Sequence, residues 1–124
     1  MEPRARFTER IWRLSEQARR DSEEFEPPSE PPDESRAMEY LREGAGPAIA
    51  LFVEARTGQY NIQFPPDAYN ALERAMNDWL ELYAACYGVD IDADHPLRKG
   101  AELLIDTENI KDVAVVLTRV PDDA

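Results

Sequence analysis

Asp90, Asp92 and Asp94 occupy alternate positions of a short segment lying between two apolar, periodic stretches. Carboxylates at the first, third and fifth places of a calcium loop converge on one hard cation. Counting on from Asp90, the sixth place is His95, where such a loop needs glycine for its sharp turn. The twelfth is Ala101, and Glu102 comes one place too late to supply the bidentate ligand. Pro96 follows directly and suits a helix start better than a wrapped loop. The expectation is an acidic interhelical loop with no metal; a divalent-cation module at these three aspartates is the weakest functional alternative.

Other reactive residues stand alone. His95 and Cys86 are each the only residue of their kind, and every serine lies at or before Ser35. No G-x-S-x-G, H-E-x-x-H, phosphate-binding loop or paired cysteine occurs, and Gly44-Ala45-Gly46 is a fragment of a dinucleotide pattern followed at once by Pro47. Cys86, beside Ala84 and Ala85, reads as a small buried hydrophobe. Neither catalysis nor a cofactor is expected.

The N-terminal stretch carries the remaining chemistry. Phe7, Ile11, Leu14 and Ala18 recur at helical spacing with Trp12 on a flank, and Arg6, Arg10, Arg13 and Arg20 share an adjoining face. The first twenty residues hold six arginines against three glutamates, the one basic region of the chain. Such a helix either packs on its own body, with its arginines toward the acidic surface, or docks on one of two kinds of partner. A protein or a second copy of the chain would bury Phe7, Ile11, Trp12 and Leu14, with Arg6, Arg10 and Arg13 tuning specificity. Nucleic acid would use the arginines alone, as in a DNA-associated transcriptional regulator. The C-terminal helices make a poor reading head, because Glu108 and Asp112 would face phosphates.

Composition sets the conditions. Only two of fourteen basic residues are lysine, against twenty-six carboxylates, for a net charge of -12 with 43% hydrophobic residues. Such a balance suits molar salt: carboxylates hold water and hydrated cations, and salt screens the self-repulsion of a high net charge. At 1 M ionic strength the screening length is about 3 Å, which extinguishes long-range steering and leaves contact ion pairs and apolar burial. Protein docking is therefore favoured over DNA. The segments Asn77-Asp-Trp-Leu-Glu-Leu-Tyr-Ala-Ala-Cys-Tyr-Gly88 and Leu104-Ile-Asp-Thr-Glu-Asn-Ile-Lys-Asp-Val-Ala114 resemble small uncharacterised haloarchaeal proteins. That resemblance implies a salt-loaded cytoplasm and no particular activity.

These residues must be positioned by helices. One spans 4–25, and the proline-rich Glu26–Glu34 (EPPSEPPDE) reads as a stiff linker setting it apart from a body at 35–124. Ser35 caps a short helix ended by Gly44 and Gly46. Pro47 to Thr57 is read as helix because Ala48, Ala50 and Ala55 disfavour a strand. The competing β-hairpin at about 48–64 rests on the alternation of Tyr60, Ile62 and Phe64. Residues 66–87 form the core helix, with Tyr69, Leu72, Met76, Trp79, Leu80 and Tyr83 inward and Asn70, Glu73, Arg74, Asn77, Asp78 and Glu81 outward. Two more follow, from Pro96 and from Thr107 as cap. The expected fold is all-α, about five helices in a small bundle with a separable N-terminal helix. No stretch approaches a membrane span, no secretory signal is expected, and the location expected is cytoplasmic. The function expected is that of a non-enzymatic adaptor or regulatory protein, self-associating as a homo-oligomer.

Overall fold

The computed structural model describes residues 2–59 and 61–121. Its regular elements are α1 (Pro3–Glu24), α2 (Glu34–Tyr40), α3 (Gly46–Thr57), α4 (Pro66–Cys86), α5 (Leu97–Thr107) and α6 (Ile110–Thr118). A π-turn, Leu41–Ala45, joins α2 to α3 without a break, so the described chain lies as five helical rods. The all-α expectation holds. The hairpin alternative does not: 46–57 is helical and 61–65 forms no strand, while Tyr60 lies outside the described residues.

α4 is the central rod. Leu72, Met76, Trp79, Leu80 and Tyr83 follow helical spacing and are fully buried. α1 lies along α4, with Ile11 and Ala18 fully buried in the same core. The expected separable helix is thus an integral one. The linker fastens it instead of releasing it: Asp33 N donates to Cys86 O at 2.8 Å, and Arg36 Nη2 donates to Glu26 O at 2.6 Å. The Arg36 guanidinium also sits 4.7 Å from the Phe25 ring centre, and Phe25 meets Tyr40. The stretch forms no helix, as expected, but it is not an extended spacer: it bends at 29–31 and its ends are tied down.

Three local expectations are corrected. The helix meant to stop at Gly44 and Gly46 runs through both. A Cβ on Gly44 would stand 2.4 to 2.6 Å from three atoms of the Trp79 indole, so this glycine admits a ring face and does not end a helix. Pro47 has no N–H to offer Glu43, and its ring crowds that carbonyl. The π-turn just before it widens the helix, and Gly46 N donates to Leu41 O. The caps also shift, because the nearest free acceptor wins. Asp33, not Ser35, accepts from Arg36 N at 3.1 Å. Asn109, not Thr107, accepts from Lys111 N and Asp112 N, while the Thr107 hydroxyl donates back to Leu103 O.

Gly44→Ala would drive a methyl into the rigid indole. Helix propensity returns roughly 0.5–1 kcal/mol, whereas overpacking costs about 1–3 kcal/mol. A net loss is expected in urea unfolding. Gly100→Ala meets only the Met76 sulfur at 2.9 Å and the end of Ile49 at 3.1 Å, which can move, and should be close to neutral. Equal unfolding midpoints for the two variants would show that the indole contact is not what requires the glycine.

Candidate functional site

α1 presents two different faces. Inward, Phe7 meets Phe64 with ring centres 6.2 Å apart, Ile11 and Ala18 are buried, and Leu14 packs at the core's edge. Asp21 accepts from Trp79 Nε1 at 2.8 Å, and Arg10 pairs with Glu54 of α3 at 3.3 Å. The apolar stripe expected to dock on a partner is largely occupied by the chain's own core. Trp12 is not part of that packing. It lies on the outer face, 44% exposed, among Glu9, Arg13, Glu16, Gln17 and Arg20.

The arginines of this helix are not a free basic surface. Arg13 pairs with Glu9, Arg19 with Glu16 and Glu23, and Arg20 with Glu16. The Arg19 guanidinium hydrogen-bonded to Glu16 holds that carboxyl below the usual range. Of the three arginines expected to tune binding, Arg10 and Arg13 are thus paired; Arg6 lines a cleft of about 310 Å³ with Phe7, Arg10, Glu54 and Ile62. That cleft holds no nucleophile and no histidine.

Asp90, Asp92 and Asp94 are all exposed, and among the described residues no group of three or more His, Cys, Asp or Glu side chains is placed to hold a metal. What organises this loop is α4. Glu81 accepts from Ala93 N at 2.9 Å, and Arg74 donates to Ala93 O at 3.3 Å. The Asn77 amide, 1% exposed, accepts from His95 N at 2.8 Å and donates to His95 O at 3.0 Å. Glu73 accepts from Leu97 N at 2.8 Å, serving as the side-chain cap that α5 lacks locally. The face read as solvated is therefore a row of polar grips on the 93–97 strap. Its signal in the sequence is the four-residue spacing of Glu73, Asn77 and Glu81, which puts them on one line.

The solitary residues have structural roles. His95 contributes its backbone to Asn77. Cys86 is fully buried; burial pushes its thiol up, against the pull of the Arg36 guanidinium beside it, which leaves it a poor nucleophile. A shallow apolar groove between the linker and α4 is lined by Phe25, Pro27, Leu82, Val89 and Ile91, with Asp78 and Glu81 at its edge. No helix of the described residues is long and apolar enough to cross a membrane.

The chain belongs to the family described as a domain of unknown function (DUF8055), which matches it over residues 5–122. No curated protein and no solved structure matches it.

Asn77→Leu keeps the branched shape of the amide but strands the His95 N–H and C=O, and a loss of about 1–3 kcal/mol is expected from urea unfolding. Asp92→Asn and Asp94→Asn, on exposed side chains, should stay within about 0.5 kcal/mol of the parent. Hydrogen exchange at residues 93–97 should accelerate only in the Asn77 variant. Unchanged protection there would remove the grip from the account.

Proposed function

We propose that this member of the family is a non-enzymatic interaction protein, an adaptor or regulatory subunit, that docks through the outer face of α1 and works in a salt-loaded cytoplasm. The observation that carries the reading is Trp12. Its indole is 44% exposed on a helix whose opposite face is bolted into the core. A large aromatic held on a rigid support, ringed by arginine and glutamate, has the composition of an interface hot spot. The docking surface differs from the one the sequence suggested, since Ile11 is buried; the helix is the same.

Salt narrows the mode of binding. The scarcity of lysine, the net charge of -12 and the resemblance to haloarchaeal proteins support a molar-salt environment. There, screening over about 3 Å removes attraction at a distance and spares contact pairs and apolar burial. A DNA-binding role gains no support, because Arg10 and Arg13 already pair with Glu54 and Glu9.

Two measurements test this. Circular dichroism should show strong helix in molar KCl that weakens as salt is withdrawn; full stability in dilute buffer would remove the salt argument. A photo-crosslinking phenylalanine analogue placed at Trp12 should capture protein in molar KCl far more efficiently than the same group at Arg98, an exposed residue of α5. Equal yields at the two positions would sink the docking face, and capture of duplex DNA instead would turn the reading toward a regulator.

A further inference from the structure

Two fastened walls border the groove between the linker and α4. One is the turn after α4, where Gly88 takes a φ of 78°. Gly88 N donates to Ala85 O at 2.9 Å and Val89 N donates to Ala84 O at 3.0 Å, so the last carbonyls of the helix hold the turn in place. The other wall is the linker, where Phe25 is held against Tyr40 and the Arg36 guanidinium. Pro31 brings the two together, since a Cβ on Gly88 would stand 3.2 Å from its ring. The groove measures about 460 Å³, and Val89 stays 38% exposed in it.

The edge of this groove is acidic, and its charge is incompletely balanced. Asp78 and Glu81 share one guanidinium: Arg74 Nε donates to Asp78 Oδ1 at 2.9 Å, and Arg74 Nη2 donates to Glu81 Oε2 at 3.2 Å. Asp78 Oδ2 and Glu81 Oε1 accept no hydrogen bond among the described residues. Asp90 stands exposed on the same edge. Burial pushes the Asp78 carboxyl up, further than Arg74 draws it down, so one guanidinium does not offset what partial burial costs this charge.

We infer that this groove docks an arginine-bearing apolar segment of a partner protein. An aliphatic or aromatic side chain of that segment lies on Val89 and Ile91, and the adjoining guanidinium reaches the unused oxygens of Asp78 and Glu81. Charge selects this occupant. A second copy of the chain, at -12 overall, is repelled by an acidic edge, and Arg10, Arg13, Arg19 and Arg20 of its α1 are already paired. Arginine suits the edge better than lysine, because its planar fork can bond two carboxylates at once, as Arg74 does, and it sheds water more readily. In molar salt a contact pair over buried apolar surface persists where attraction at a distance does not. Walls fastened before the partner arrives reduce the ordering that docking requires. This surface is separate from the outer face of α1, so the two readings stand or fall independently.

Titration of the isotope-labelled full chain in molar KCl, followed by nuclear magnetic resonance, tests this with two probes. One is N-acetyl-phenylalanyl-arginine amide; the other is the same dipeptide with citrulline, the neutral isostere of arginine. The arginine probe should shift the backbone amides of residues 88–91 saturably, and the citrulline probe should bind about tenfold more weakly, the loss expected for a hydrogen bond to a charged group. Asp78→Asn should weaken the arginine probe and leave the citrulline probe unchanged. Val89→Lys, at an exposed position, sets a cation in the groove itself and should abolish binding of the arginine probe. Dispersion of the amide spectrum confirms that each variant is folded. Equal affinity for the two probes, binding that survives Val89→Lys, or no shift at residues 88–91 up to about 10 mM probe overturns the proposal. Shifts of the same amides with protein concentration alone, before any probe is added, assign the groove to a second copy and overturn it as well.

Discussion

The indole of Trp79 is the contact on which the rest of the structure depends. It is fully buried in α4, and it meets two other elements at once. Its face lies against Gly44, which brings the π-turn between α2 and α3 within a methyl's width of the ring. Its Nε1 donates to Asp21 near the end of α1, which satisfies the one polar atom that burial would otherwise strand. A ring of that size leaves little tolerance on any side. The register of α1 on α4, the unbroken course of the second rod and the glycine at position 44 are all consequences of seating it.

The polar face of α4 performs a second kind of fastening. Glu73, Arg74, Asn77 and Glu81 hold the backbone of 93–97 through directed hydrogen bonds. A connection between helices has backbone groups that must be satisfied somewhere, and a helix can supply side chains at one-turn intervals to do it. α4 thus organises the apolar core with one face and the α4–α5 connection with the other. The exposed aspartates of that connection are what remains after its backbone has been anchored, which is why they converge on nothing.

Periodicity made most of the fold legible. The apolar spacing of Leu72, Met76, Trp79, Leu80 and Tyr83 fixed the central helix, and the alanines of 48–55 decided helix over hairpin correctly. What stayed hidden depended on tertiary contact. Gly44 and Pro47 look like helix breakers until the Trp79 ring and the π-turn are in view. Asn77 looks like a solvated residue until His95 folds over it. The proline linker looks like a spacer, because sequence records the stiffness of the chain and not the hydrogen bonds of Asp33 and Arg36 that tie it down. The candidate site was half legible: α1 was singled out, but the side facing solvent was misassigned, since Phe7 and Ile11 fit the body's own core better than a partner's.

That reassignment changes what α1 can do. A helix on a free linker would lose conformational entropy on docking, and each ordered side chain would add to the loss. A helix whose inner face is locked by Ile11, Ala18 and the Asp21–Trp79 bond has already met that loss in folding. Its outer arginines and glutamates are further ordered by their one-turn pairs, so their geometry is set before a partner arrives. In a chain otherwise dominated by carboxylates, those paired charges with an exposed indole beside them form the surface that the proposed docking would use.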